Sequence, residues 1–144
     1  MRRTTSVRLS VNPLEGREVP ACVVTHPTPD LVVITGDAAN DAVFIRDNGV
    51  GGISGSATGA GAFSFTGIKT VRVLTGDGND RVSYTLTRNL QPGQTRDVSV
   101  ALGASPQWGQ DTFVANLVNP ATGIGSDLLA GSHLGITVFG GDGR

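Results

Sequence analysis

The sequence predicts an all-β chain, folded as a parallel β-solenoid of the β-helix or β-roll kind with irregular loops. Three observations carry this. Glycine supplies 21 of 144 residues, about twice the usual share, while aromatic and charged residues are sparse; that balance suits a turn-rich β chain and not a helical bundle. Four short β-branched runs end in glycine, "LVVITG", "VRVLTG", "VSVALG" and "ITVFGG". No segment holds a 3.6-residue apolar period beyond one turn.

The chain divides, on this reading, into an extended, disordered leader over residues 1–30 and a β-repeat domain over 31–144. The leader carries Pro13, Pro20, Pro27 and Pro29, each of which removes a backbone donor and holds its predecessor extended. Beyond it the four runs align on Gly36, Gly76, Gly103 and Gly141. Leu31, Val71, Val98 and Ile136 then share one column, and Val33, Val73, Val100 and Val138 another. Alternate strand residues share a face, so the two columns define the inward side of each run. After each turn a second strand begins, at "AVFI", "RVSYTL" and "TFVANL", with Val43, Val82 and Phe113 at equivalent positions. Loops are expected at 47–61, 88–96 and 118–127, with an additional strand at 62–67. Superposable sequence favours superposable coils; the same strands folded as hairpins would give an antiparallel β-sandwich instead.

Composition also narrows function. The net charge of −1 provides no broad basic field for nucleic acid or an anionic membrane. No apolar run approaches a membrane span. The single Cys22 cannot form an intrachain disulfide. The N-terminus "MRRTTSVR" has basic residues without the apolar stretch of a standard signal peptide, so the sequence does not display an export route.

Chemistry concentrates in "TGDGNDRVS". Gly76 and Gly78 can take backbone angles closed to other residues, turning carbonyls toward a common point. Asp77, Asn79 and Asp80 add side-chain oxygens. Calcium takes six to eight such oxygens. Partial copies recur. "TGDAANDAV" holds Asp37, Asn40 and Asp41, with one extra residue in the glycine-anchored alignment; "LGASPQWGQDTFV" keeps Asp111; "FGGDGR" ends after Asp142. The expected calcium ligands are therefore Asp37, Asn40, Asp41, Gly76, Asp77, Gly78, Asn79, Asp80, Asp111 and Asp142. Gly, Asp and Asn are also ordinary turn residues, so a metal-free turn is the competing expectation.

The block resembles the nonapeptide G-G-x-G-x-D-x-U-x of the repeats-in-toxin (RTX) calcium-binding β-roll family. Gly76, Gly78, Asp80 and Val82 match its second and third glycines, its aspartate and its apolar position; Thr75 replaces the first glycine. The resemblance implies ions held between half-sites of neighbouring coils. It departs from the family in spacing, since these copies do not recur every nine residues. The leader "RLSVNPLEGREVPA" is similar to the N-terminal motif of predicted extracellular proteins of planctomycete bacteria, through Leu14, Glu15, Arg17, Val19, Pro20 and Ala21, with Gly16 in place of the usual Asp. That resemblance implies export and an extracellular or cell-surface role.

Candidate enzyme groups are scattered. His26 and His133 stand apart, and no nucleophile elbow or phosphate loop occurs. Lys69, Arg72 and Arg81 flank the best turn and are expected to pair with nearby acids. The sequence thus points to a non-enzymatic extracellular β-repeat protein stabilised by calcium. The alternative is a metal-free adhesive or glycan-binding solenoid, with Trp108 as a stacking platform. The third reading is a fragment of a polysaccharide-acting β-helix enzyme. The ending "GGDGR" opens a turn with no strand to receive it, which leads to the expectation of a truncated chain or of self-association through an uncapped last coil.

Overall fold

The computed structural model describes residues 21–103, 110–117 and 131–140. These form an all-β structure of ten strands in two five-stranded sheets, with no helix among the described residues. In particular, none of them forms a helix long and apolar enough to cross a membrane. The first sheet runs β1 (Val23–Thr28), β2 (Leu31–Thr35), β6 (Thr70–Leu74), β8 (Thr95–Ala101), β10 (His133–Phe139). The second runs β5 (Gly61–Phe65), β4 (Ile53–Ala57), β3 (Ala42–Asp47), β7 (Arg81–Leu86), β9 (Thr112–Asn116). Inward residues from both sheets merge in one core that includes Val32, Ile34, Val43, Ile45, Val71, Val73, Val82, Tyr84, Val98 and Val100.

The sheets are mixed. The repeat-equivalent strands β2, β6, β8 and β10 pair in parallel, as do β3, β7 and β9; they do not form the hairpins of an antiparallel sandwich. Antiparallel pairing is confined to β1 on β2 and to the meander β3–β4–β5. Val71, Val98 and Ile136 lie level across their strands, as do Val73, Val100 and Val138. Val43, Val82 and Phe113 lie level in the second sheet. Each fully buried valine contributes roughly 1.5–3 kcal/mol, so the columns constitute much of the core.

The first rung departs from the expected alignment by one residue. Val32 and Ile34, not Leu31 and Val33, lie level with Val71 and Val73 and are buried. "LVVI" is apolar in both alternations, so anchoring on Gly36 selects the wrong one. In the observed register Gly36 is one position beyond Thr35, which pairs with Leu74, and so stands level with Thr75. The same 39-residue offset carries through the turn to Ala42 and Arg81. The supposed extra residue in the first turn is therefore not an insertion.

Three other boundaries move. Residues 23–28, placed in the leader, form β1 on the edge of the first sheet, and Cys22 is buried; the expected boundary at residue 30 falls inside a hairpin. The Gly/Ser-rich stretch 47–61 is not one wide loop, because Ile53–Ala57 forms β4, with Ile53 and Ala57 inward and buried. Gly55 fits there because a Cβ would meet the Phe44 carbonyl. The expected loop 88–96 ends in β8 and buries Arg96 completely. The additional strand expected at 62–67 is β5. Trp108 and the loop expected at 118–127 lie outside the described residues.

Candidate functional site

The predicted ligands meet at the corner where β2 turns into β3, β6 into β7 and β8 into β9. Gly76 and Gly78 take left-handed φ values of 84° and 134°, as the turn requires. Asp37, Asn40, Asp41, Asn79, Asp80 and Asp111 converge there. Asp77 is exposed. Asp142 lies outside the described residues.

Hydrogen bonds between rungs dominate the corner and run in opposite directions in two columns. In the aspartate column, Asp41 N–H donates to Asp80 Oδ1 and Asp80 N–H donates to Asp111 Oδ1, both at 2.9 Å. Each carboxylate thus reaches back one rung. In the neighbouring column, Asn79 N–H donates to Asn40 Oδ1 and Gln110 N–H donates to Asn79 Oδ1, both at 2.8 Å. Each amide oxygen thus reaches forward one rung. Main-chain bonds from Arg81 N to Asp41 O and from Thr112 N to Asp80 O, both 2.8 Å, carry the ladder into the next strands. A buried donor left unpaired costs about 1–3 kcal/mol, so the Asn-Asp pair fastens one rung to the next where the turning chain could not satisfy its own donors.

The first rung closes the network. Asp41 Oδ2 accepts from Asp37 N–H at 3.0 Å, and Asp41 Oδ1 lies 3.2 Å from the Cys22 Sγ donor. Asp37 Oδ1 accepts from Ala39 N–H at 2.7 Å, and Asp37 Oδ2 from Ala21 N–H at 3.0 Å. Burial, the Asp41 hydrogen bond and the charges of Asp41 and Asp37 push the Cys22 thiol up to about 12. It is therefore protonated and unreactive at neutral pH.

Many of the corner's side-chain oxygens are engaged by the chain itself. Both oxygens of Asp37 and of Asp41, and one each of Asn40, Asn79, Asp80 and Asp111, already accept hydrogen bonds. Of the buried side-chain oxygens, Asp80 Oδ2 and Thr75 Oγ1 have no partner. Among the described residues no three His, Cys, Asp or Glu side chains group as a metal site.

Asp80 has a consequence for pH. Burial, with smaller contributions from the charges of Asp111 and Asp41, raises its carboxyl above the usual range, against the lowering effect of Thr75 and the Asp41 N–H. A raised folded-state value means the native state holds the proton more tightly than the unfolded chain. Stability linked to Asp80 is therefore gained as pH falls through the raised value and is complete below the unfolded value. Asp80→Asn keeps the oxygen facing Asp41 N–H and removes the buried charge. The variant is expected to melt a few degrees above wild type at pH 7, with the gap narrowing toward pH 4. Thermal melts across that range check it; a variant that melts lower at pH 7 would refute the account of Asp80.

A second polar cluster lies between the sheets at the other end of the strands, and sequence reasoning missed it. Asp47, Tyr84 and Arg96 are all fully buried. Asp47 Oδ2 accepts from Arg96 Nε at 2.6 Å and from Tyr84 Oη at 2.7 Å, while Oδ1 accepts from Gly49 N–H at 2.8 Å and from Arg96 Nη2 at 3.3 Å. Burial and the Asp47 charge push the Tyr84 hydroxyl well above its usual range. All three side chains are enclosed, and their contacts tie β8 of the first sheet to β3 and β7 of the second.

No family model, curated protein or solved structure matches this chain. The corner and the cluster must therefore be interpreted from their own geometry. The surface cations add one correction. Among the described residues the ion pairs are Arg96–Asp47 and the exposed His133–Asp97 contact. Among the described residues, Lys69, Arg72 and Arg81 have none of the acidic partners expected for them.

Proposed function

We propose that the chain is a non-enzymatic, extracellular or cell-surface β-repeat module: a short β-solenoid held together by its Asn-Asp corner without metal. The observation that carries this is the opposed pair of ladders. They tie the turn of one rung to the next by pairing side-chain oxygens with backbone N–H groups, so the rungs are linked by the chain's own groups and not by an ion bridging their oxygens. The parallel, in-register pairing of equivalent strands supports the solenoid reading. The leader's resemblance to exported planctomycete proteins supports the location. The fully enclosed Asp47–Arg96–Tyr84 cluster supports a structural role over a catalytic one.

The two ends of the stack differ, which bears on self-association. At one end, β1 carries Pro27 and a register shift between Thr25 and Thr28, features that blunt an edge strand. At the other, β9 and β10 are the outer strands of their sheets. Ile136 and Phe113 are only partly buried, and Val138 is 40% exposed. The occupant proposed for this rung is a second copy of the same rung.

Calorimetry and sedimentation velocity, each run in EDTA and in millimolar calcium, test the proposal together. The expected result is one melting temperature in both buffers and a concentration-dependent dimer in both. A melt raised by calcium would restore the calcium-stabilised reading, and a monomer at every concentration would remove the open-rung association.

A further inference from the structure

The outer face of the second sheet has a composition that the core does not explain. Outward positions alternate with the buried ones along each strand. On β3 they are Phe44 and Arg46; on β4, Ser54 and Ser56; on β7, Arg81, Ser83 and Thr85. Phe44 is 45% exposed near the middle of the sheet, level with Ser56 on one side and Ser83 on the other. Arg46 lies level with Ser54 and Thr85.

Phe44, Arg46, Ser54, Ser56, Ser83 and Thr85 line an open trough of about 520 Å³ across β4, β3 and β7, and Arg81 stands on the same face of β7, two residues before Ser83. A second hollow of about 290 Å³ continues it past Arg46 and Ser54 toward Asn48, Thr66 and Thr87. Small hydroxyl side chains, Ser56 and Ser83, flank Phe44 on both sides, and an apolar ring beside a few convergent polar groups is the lining a small ligand uses.

Charge selects the occupant. Arg46 and Arg81 are exposed, neither has an acidic partner among the described residues, and no Asp or Glu points outward from β3, β4, β5, β7 or β9. Arg81 is level with Ala42, four residues before Arg46 along a parallel pair, so the two guanidinium groups attach roughly 13 Å apart at about 3.3 Å per residue. Phe44 lies between their levels.

We propose that this trough binds an extended acidic polysaccharide, with the apolar face of one sugar stacked on Phe44, carboxylates of flanking sugars paired with Arg46 and Arg81, and ring hydroxyls bonded to Ser54, Ser56, Ser83 and Thr85. A guanidinium fork matches a carboxylate in two parallel hydrogen bonds. A short row of serine and threonine hydroxyls both donates and accepts, as sugar hydroxyls do. The assignment rests on reading the chain as a non-enzymatic extracellular module and names the ligand class such a module would hold.

Titration calorimetry with oligogalacturonate as probe and a neutral cello-oligosaccharide as control tests it, using the full chain. Oligogalacturonate is expected to bind, more weakly as salt rises, and the neutral oligomer to bind at least tenfold more weakly. Phe44→Ala, Arg46→Gln and Arg81→Gln should each weaken binding by roughly tenfold, the loss of one good contact, with melts within a few degrees of wild type because all three side chains are exposed. Arg72→Gln, on the outer face of the other sheet, should leave binding unchanged. Equal loss in Arg72→Gln, or no binding of oligogalacturonate by wild-type chain, overturns the proposal. That result, with a calcium-indifferent melt, would leave the metal-free module standing. New reducing ends after prolonged incubation would support the trough and remove the non-enzymatic reading.

Discussion

Replacing Asp47 with Asn is expected to destabilise the protein by about 3–5 kcal/mol, the range found when one partner of a buried ion pair is removed. Asp47 and Arg96 are both fully buried. The carboxylate accepts from two guanidinium nitrogens, the Tyr84 hydroxyl and Gly49 N–H. Asparagine keeps the shape and one acceptor oxygen, but leaves a guanidinium buried without a counter-charge. A guanidinium cannot shed its proton, whereas a carboxylate left alone can take one up. Arg96→Met is therefore expected to lie at the lower end of the same range and to become less damaging as pH falls. Tyr84→Phe removes one hydrogen bond and should cost about 1 kcal/mol. The double variant Asp47→Asn/Arg96→Met should recover much of the loss, because it leaves neither charge stranded. Urea unfolding of the single and double variants gives the coupling directly. Additive single-site losses would show that the pair does not act as a unit.

The cluster also shows where the sequence was legible and where it was misread. The columns Val71/Val98/Ile136 and Val73/Val100/Val138 can be aligned because a polar residue, Arg72, Ser99 or Thr137, separates the two inward positions of each run. The first run, "LVVI", is apolar in both, and a glycine anchor put it one residue out. Asp47 and Arg96 stand at the first and last positions of the loops expected at 47–61 and 88–96, where polar, glycine-containing sequence reads as solvent-exposed. The signal was nonetheless present. Val43, Ile45 and Asp47 continue one alternation, as do Arg96, Val98 and Val100, so two opposite charges prolong two inward columns. The Asn-Asp pair repeated before β3 and β7 marked the corner correctly. What the residue types could not convey was direction: oxygens expected to face an ion face the neighbouring rung's N–H groups. Hydroxyl-rich outer positions gave no sequence signal, since only the sheet register places Ser54, Ser56, Ser83 and Thr85 beside Phe44.

The glycine column should be almost as sensitive as the ion pair. Gly76 → Ala is expected to destabilise by roughly 2–5 kcal/mol, the sum of a left-handed penalty of about 1–2 kcal/mol and an overpacking cost of about 1–3 kcal/mol. Gly76 has φ 84°, and a Cβ there would run into the Asp37 carbonyl of the preceding rung. A Cβ on Gly103 would in turn run into the Gly76 carbonyl, and one on Gly36 into the Thr75 carbonyl. The rungs thus approach backbone to backbone at this corner, and the opposed ladders need that approach to reach across. Gly93 separates the two contributions. It also has a left-handed φ, 74°, but open space where its Cβ would lie, so Gly93→Ala should show the conformational penalty alone. Gly103 has no left-handed φ, so Gly103→Ala should show the collision alone. Chemical denaturation of the three variants reads both components, with Gly76→Ala expected to exceed Gly93→Ala by more than 1 kcal/mol. Equal losses at Gly76 and Gly93 would mean that the rungs do not pack against each other at the corner, and the hydrogen-bond ladders that bridge them would lose their structural basis.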